Sequence, residues 1–551
     1  MFEARQCAAG MAVLLAVGAH SACVTRNPPA PVAFPGAAGP AADASDPDAG
    51  IRGPEPADAV RPVAGARTID AGERGLAATL DALFATRPSG PVLWGVEVRS
   101  LDRNERLYAR NQDVLLTPAS TMKILTLATA AERLGWDDRF ETTLSSAAAI
   151  REGTLGGDLV VRGTGDPTIN APGTEDLFAA WADELRARGV RRIAGRIIGD
   201  DDGPGGAGPA QDTGFGAGWA WDDLALGFAA PAGALQHHEN VVHVVVAPSD
   251  SAGLPGRVRI RTPSSGLTLV NDVVTAAAGS PAAIRLLRPV RRDALVVAGQ
   301  IPLGHDPVVR IAAVGNPTRF FVQALRDALE QHGIAVADEA IDIDRLDAEE
   351  KASVRRGLQP LVRHRSEPLS AIARRMMKSS QNLYAESMLH RLGAMDRAGD
   401  GDGGGGRAAG LVLAEWGIGA ERAIVADGSG LSRYNYLAAS ALVDVLARMH
   451  RDPRHRERFR ATLPVAGRDG TLRRRLVGTP AEGTVRAKTG SMTRVRKLAG
   501  FAESAGGEIL AFAILANNFS APAGQVIRVI DNAAAALAAF SRGDPPPPAA
   551  R

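Results

Sequence analysis

Apolar and polar positions change their spacing several times along this chain, and each change marks an element. A long apolar segment runs from Met122 to Leu134 with few charges and no Pro or Gly. Such a segment predicts a helix buried on nearly all sides. Pro118 and Ser120 are start signals and Gly135 is a stop. Upstream, Gly75 to Thr86 reads as a helix. Val92–Arg99 and Glu105–Arg110 alternate around a turn-rich spacer, Ser100 to Asn104, which predicts a β-hairpin.

From about Phe140 to Asp344 the pattern becomes short β-like runs punctuated by Gly and Pro: Leu159–Arg162, Arg192–Ile198, Val241–Val246, Val258–Arg261 and Ala294–Ala298. Two segments echo each other. Leu177–Ile198 and Phe320–Ile343 each read as an amphipathic helix, a glycine turn and a β run, which implies related packing. Helical spacing returns at Pro368–Leu392, where Leu369, Ile372, Ala373 and Met376 form a stripe. Asp400–Gly406 reads as a flexible Gly-rich loop. Leu411–Trp416 and Leu437–His450 read as helices. Val485–Thr489, Leu498–Ser504 and Glu508–Asn517 read as strands, the last two joined as a hairpin, and Gln525–Phe540 as a closing helix. The first and last parts together predict an α+β catalytic domain, an antiparallel sheet flanked by helices, split by inserted small β-rich subdomains. The expected division is 72–139 and 366–540 for the catalytic domain and 140–365 for the insertion.

The ends differ in kind. Met11–Ala19 is too short an apolar run to span a bilayer. With the small residues that follow, up to Cys23, residues 1–23 read as a secretory signal. Cys23 after small residues resembles a bacterial lipobox, although His20 stands where an aliphatic residue is usual. Two locations follow: a free periplasmic protein, or a lipoprotein anchored to the membrane at Cys23. Residues 24–71, rich in Pro, Ala, Gly and Asp, read as a disordered linker, and 541–551, with four consecutive prolines, as a loose tail.

Composition narrows the chemistry. The 551 residues are 45% hydrophobic and 23% charged, ordinary for a protein that buries a core. The net charge of +2 argues against a nucleic-acid partner. Cys7 and Cys23 are the only cysteines, so the body has no disulfide, no Cys-ligated metal and no Cys nucleophile. The ten histidines show no metal spacing, and no metal or other cofactor is implied.

Three short motifs remain. Ser120 and Lys123 lie three apart and share a helix face. A Lys on a buried helix loses its preference for charge and can activate a neighbouring hydroxyl. Ser380-Gln381-Asn382 sits between a helix end and a helix start, and Lys488-Thr489-Gly490-Ser491 on a strand. S-x-x-K, S-x-N and K-T-G in that order form the set used by penicillin-binding proteins and class A β-lactamases.

Over residues 72 to 540 the chain resembles the D-alanyl-D-alanine carboxypeptidase/endopeptidases of the low-molecular-mass class C penicillin-binding proteins. Beyond the three motifs, the resemblance rests on Gly163–Thr168, Trp219–Leu224 through Asn240, Met376–Glu386, Asp427–Arg433 and Leu463–Gly467. Arg494, Arg496 and Lys497 depart from it, standing where smaller residues are expected and implying a charged rim.

The resemblance implies a serine-type D,D-peptidase acting on peptidoglycan peptides and inhibited by β-lactams. In that reading Ser120 is the nucleophile and Lys123 its base. Ser380 relays the proton, and Asn382 binds the substrate amide and supports Lys123. Lys488 supplies positive charge, Thr489 binds the terminal carboxylate, and Gly490 lets the substrate backbone lie close. The N–H groups of Ser120 and Ser491 form the oxyanion hole. A β-lactamase and a non-catalytic wall-binding or β-lactam-sensing protein are the alternatives. The sequence is silent on oligomeric state.

Overall fold

The computed structural model describes residues 73–86, 90–202, 214–262, 266–289, 294–395 and 404–542. The expected signal segment, the linker and most of the tail lie outside these residues.

An antiparallel sheet organises the part that carries the three motifs. Its strands run in the order Glu105–Arg110, Leu93–Ser100, Ile509–Asn517, Val495–Glu503 and Val485–Met492. The central Ile509–Asn517 strand is apolar almost throughout because both of its faces are covered. Leu510, Phe512 and Ile514 point to one side, into a core shared with the Glu73–Ala85 and Ala523–Ala539 helices. Ala511, Ala513 and Leu515 point to the other, against Met122–Leu134 and Ala439–Arg451. The period of two thus sorts one strand into two cores.

The helix Met122–Leu134 is buried from Met122 to Ala131 without a break, as its lack of polar spacing requires. It is entered through a short 3-10 turn, Ala119–Thr121. Thr121 Oγ1 donates to the Pro118 carbonyl at 2.7 Å, so Thr121 rather than Ser120 ties this turn down.

The described residues between 141 and 365 form four further sheets. The largest runs Ala340–Asp342, Ile197–Asp200, Leu159–Gly163, Glu141–Ser146 and Gln359–Arg365, so its first and last strands in sequence pair antiparallel at one edge. Immediately outside that pair, Ser366 N donates to the Phe140 carbonyl at 3.0 Å and Phe140 N donates to Ser366 Oγ at 3.0 Å. The chain leaves and returns at one place.

The two echoing segments lie side by side. Arg192–Ile193 pairs parallel with Ala335–Val336, and Ile197–Asp200 with Ala340–Asp342, in a continuous register. Their helices, Leu177–Ala187 and Pro317–Gln331, start at side-chain caps, Asp176 accepting from Phe178 and Ala179 and Asn316 from Arg319. They share a core through Phe178, Trp181 and Phe321. The Arg192–Ile198 run expected as one strand is split, its halves belonging to different sheets.

One loop expectation is overturned within the described residues. Gly404, Gly405 and Gly406 open a helix, Gly404–Glu415, rather than continuing a flexible loop. A Cβ on Gly405 would overlap the Leu389 carbonyl, and one on Gly406 would press on Val425 O at 2.5 Å. These glycines are there for close packing against the Asn382–Met395 helix and its neighbour strand.

Candidate active site

Every motif residue named from the sequence falls around one end of the Met122–Leu134 helix. Lys123 is wholly buried, 0% exposed, because its helix is covered on all sides. Its Nζ lies 2.9 Å from Ser120 Oγ, 2.6 Å from Asn382 Oδ1 and 2.8 Å from the Ser429 carbonyl. Burial lowers its affinity for a proton to a pKa of about 7, against the opposing pull of Asp427 and Glu386.

Ser380 and Asn382 sit where two helices meet, Leu369–Ser379 and Asn382–Met395. Ser380 takes the left-handed conformation there, at φ 63°. That sharp turn places two side chains of one tripeptide on different partners. Asn382 faces Lys123, and Ser380 Oγ accepts from Lys488 Nζ at 2.7 Å. Asn382 Nδ2 donates to the Phe228 carbonyl at 2.8 Å, so one of its amide N–H groups is held by the 141–365 region. The middle residue of the motif is held there too. Gln381 Nε2 donates to Glu239 at 2.7 Å, and Arg375 bonds the same carboxylate at 2.8 Å.

Lys488 stands on the edge strand Val485–Met492 and is also 0% exposed. Besides Ser380 it bonds the Thr489 carbonyl at 2.9 Å. Burial and the like charge of Lys123 hold its amine well below the ordinary lysine range. Pro464–Ala466 covers the first part of this edge through Ala487 N to Pro464 O and Ala466 N to Val485 O, each 2.9 Å. Thr489 follows, half-buried, its Oγ1 donating to Thr471 Oγ1 at 2.8 Å. Ser491 is exposed beyond it, opposite Arg496. A Cβ on Gly490 would meet Pro118 O and Lys497 Cβ, each at 3.0 Å. Glycine there lets the loop before Ser120 close on the strand.

The expected charged rim is corrected at one position. Lys497 turns inward, is 1% exposed and donates to Asn517 Oδ1. It stands directly across from Gly490, whose missing side chain leaves the space it fills. Arg496 is half-buried and folds onto the Met492 and Val495 carbonyls at 2.7 and 2.8 Å, and the exposed Arg494 reaches the Ser520 carbonyl at 3.0 Å.

The segment 427–435 is the part of the site whose role the sequence left unassigned. Asp427 accepts from Gly430 N (2.7 Å), Ser432 N (2.6 Å), Asn435 Nδ2 (2.6 Å) and Trp219 Nε1 (2.9 Å). Glu386 accepts from Gly428 N (3.0 Å) and Ser429 N (2.8 Å). A Cβ on Gly430, at φ 86°, would overlap the Ala119 carbonyl. The available signal was the density of Gly, Ser, Asp and Asn in Asp427–Asn435.

Two groups could gather metal-ligating atoms among the described residues, Glu132–Asp452–His455 and Asp201–Asp342–Asp344, and neither includes a residue of this site. In the first, Glu132 already pairs with Arg454 at 3.0 Å, and in the second Lys351 pairs with Asp344 at 2.7 Å.

Comparison with known proteins fits this geometry. The pattern of the D-Ala-D-Ala carboxypeptidase 3 (S13) family matches residues 76–539. A D-alanyl-D-alanine carboxypeptidase of an Actinomadura species is 34% identical over 462 residues, 81% of each chain. The crystal structure of penicillin binding protein 4 from Haemophilus influenzae superposes with a TM-score of 0.71 at 26% identity, covering 83% of this chain and 97% of that one. The same protein complexed with a β-lactam gives 0.67 at 25% identity, covering 82% and 98%. This chain belongs to the D-Ala-D-Ala carboxypeptidase 3 (S13) family, within the low-molecular-mass class C penicillin-binding proteins.

Proposed function

We propose that this chain is a serine-type D-Ala-D-Ala carboxypeptidase/endopeptidase that cuts peptidoglycan stem peptides and cross-links through an acyl-enzyme on Ser120, and that β-lactams acylate the same serine. The observation that carries the reading is the Lys123 amine 2.9 Å from Ser120 Oγ, wholly buried and with its proton affinity lowered to about 7. A lysine in that state accepts a proton near neutral pH, as a general base must. Membership of the family and the β-lactam complex of the Haemophilus influenzae neighbour support the substrate and inhibitor classes.

In the proposed reaction Ser120 Oγ attacks the carbonyl of the penultimate D-alanine while Lys123 takes the hydroxyl proton. The N–H groups of Ser120 and Ser491 meet the oxyanion, about 3 kcal/mol per donor. The C–N bond breaks, and Ser380 passes a proton to the departing nitrogen. Water then hydrolyses the acyl-serine. Lys488 and Thr489 meet the terminal carboxylate on the edge strand, and Asn382 supports Lys123 and the substrate amide. Gly490 lets the Pro118 loop and Lys497 close on the strand along which the substrate backbone lies. The catalytic body is 72–139 with 366–540, the insertion 140–365. We place the protein in the periplasm, free or anchored by a lipid at Cys23. Among the described residues, no helix is long and apolar enough to cross a membrane.

The test is a fluorescent penicillin followed over time, beside mass spectrometry of peptidoglycan fragments after digestion. Long-lived label with loss of terminal D-alanine or of the cross-link is the expected result. Rapid loss of label would mean a β-lactamase, and no label a non-catalytic binder.

A further inference from the structure

The polar neighbours of Lys123 determine which way its amine faces. Three atoms surround Nζ: Ser120 Oγ, Asn382 Oδ1 and the Ser429 carbonyl oxygen. Two of them are carbonyl oxygens, which accept and never donate. A neutral amine has two N–H groups and one lone pair. The two carbonyls take the two N–H groups, and the lone pair is left for the Ser120 hydroxyl. Were either carbonyl to move away, an N–H would be free to turn to Ser120 Oγ, and the base would donate to the nucleophile instead of accepting from it.

Both carbonyls are fixed from one helix. Asn382 and Glu386 are four residues apart on Asn382–Met395, and so share a face. Asn382 presents its own oxygen, its orientation fixed by Nδ2 on Phe228. Glu386 acts one step away. Its two oxygens accept the N–H groups of Gly428 and Ser429, at 3.0 and 2.8 Å. The Met122–Leu134 helix holds the other side of the same loop, Thr126 Oγ1 donating to the Gly428 carbonyl at 2.7 Å. A Cβ on Gly428 would overlap the Ala385 carbonyl, so the loop is seated against the helix backbone.

We propose that Glu386 is a positioning residue of the reaction: by gripping the Gly428 and Ser429 N–H groups it aims the Ser429 carbonyl at Lys123 and so reserves the Lys123 lone pair for Ser120. The proposal rests on the Ser120–Lys123 reading given above. A glutamine at 386 offers one acceptor and one donor to two N–H groups, so it breaks half of the grip while keeping the volume.

The titratable groups facing Lys123 are Glu386 on the Asn382–Met395 helix, Asp427 on the loop and Lys488 on the strand. Burial and the charge of Asp427 push the Glu386 carboxyl up to about 8, so both of its oxygens accept on the high-pH plateau. Burial holds the Lys488 amine well below the ordinary lysine range. Removing one of these groups for charge alone would shift the midpoint of a pH profile and leave its upper plateau intact. Loss of aim lowers the plateau itself.

The experiment measures the second-order acylation rate by a fluorescent penicillin across pH, per active site titrated with the same label, for wild type, Glu386→Gln and Thr126→Val. Glu386→Gln is expected to lower the high-pH plateau by about tenfold or more at full labelling stoichiometry. Thr126→Val, a smaller disturbance of the same loop, is expected to lower it severalfold, and decides the matter if Glu386→Gln does not fold. An unchanged plateau per titrated site, with only a moved midpoint or a smaller active fraction, overturns the proposal. Ser120→Ala is the control: label retained in that variant overturns the parent reading, whereas loss of label there beside an unchanged plateau in the other variants overturns the Glu386 proposal alone.

Discussion

The helix side and the strand side of the site each bury a lysine completely, and their surroundings differ in charge. On the helix side, Asp427 and Glu386 pull against burial, so that Lys123 keeps a pKa of about 7. On the strand side the hydrogen-bond partners of Lys488 are Ser380 Oγ and the Thr489 carbonyl, both neutral, and the charge that bears on it is that of Lys123. Equal burial therefore leaves the two amines unequal. Before substrate arrives, a shared proton resides more readily on the helix side. A substrate carboxylate brought to the strand side would supply the missing anion, favour a proton on Lys488 and, by like charge, disfavour one on Lys123. In the proposed reaction, binding of the substrate and activation of the base would then be one electrostatic event.

The largest test of that contrast is a pair of arginine substitutions. Lys123→Arg should lower β-lactam acylation by roughly 10³-fold or more, because a guanidinium cannot give up its proton near neutral pH. Lys488→Arg should retain a measurable fraction, and its permanent charge beside Lys123 should move the acid limb of the pH profile to lower pH. Equal losses in both variants would show that the two lysines are not distinguished in this way. Asp427→Asn removes a carboxylate that favours the Lys123 proton, so the acid limb should again move down. It also replaces one acceptor oxygen of a carboxylate that takes hydrogen bonds from Gly430, Ser432, Asn435 and Trp219, for an expected loss of about 2–3 kcal/mol in urea unfolding. In the wild-type protein acylation should climb as pH rises through about 7, the pKa of the Lys123 amine, and fall below it, measurable by stopped-flow labelling. The smallest effect is Trp219→Phe, which deletes the Nε1 bond to Asp427 and should cost about 1 kcal/mol, read as a lowered Tm with the pH midpoint unmoved.

The sequence made the Ser120, Ser380 and Lys488 motifs legible because each is short, ordered and set in a helix, turn or strand that periodicity marks. It also showed the sheet strands, whose apolar runs follow from cover on both faces. It marked the stretches Met376–Glu386 and Asp427–Arg433 by resemblance but gave neither Glu386 nor the Ser429 carbonyl a role. A buried Glu on a helix reads like any other polar interruption, and a backbone carbonyl has no letter of its own. Linear spacing places Lys497 on the rim because its inward path depends on the space left by Gly490 on the next strand, a cross-strand relation that spacing does not carry. The glycines at 404–406 differ from their expected loop for the same reason. Local rules count them as breakers, while the Leu389 and Val425 backbone fixes them as contact points.

The mutual bonds of Phe140 and Ser366 have a further consequence, for the history of the chain rather than its chemistry. Closing a loop costs only about 0.6 kcal/mol more for each doubling of its length. Where the two ends are already joined by a strand pair, even that increment falls on the inserted stretch and not on the body around it. To the helix that begins at Met122, everything between those two residues is a short bridge of fixed span. That stretch is free to grow, shrink or be exchanged in descent, provided the points at which it grips the body, among them Phe228, Trp219, Gln236 and Glu239, keep their reach.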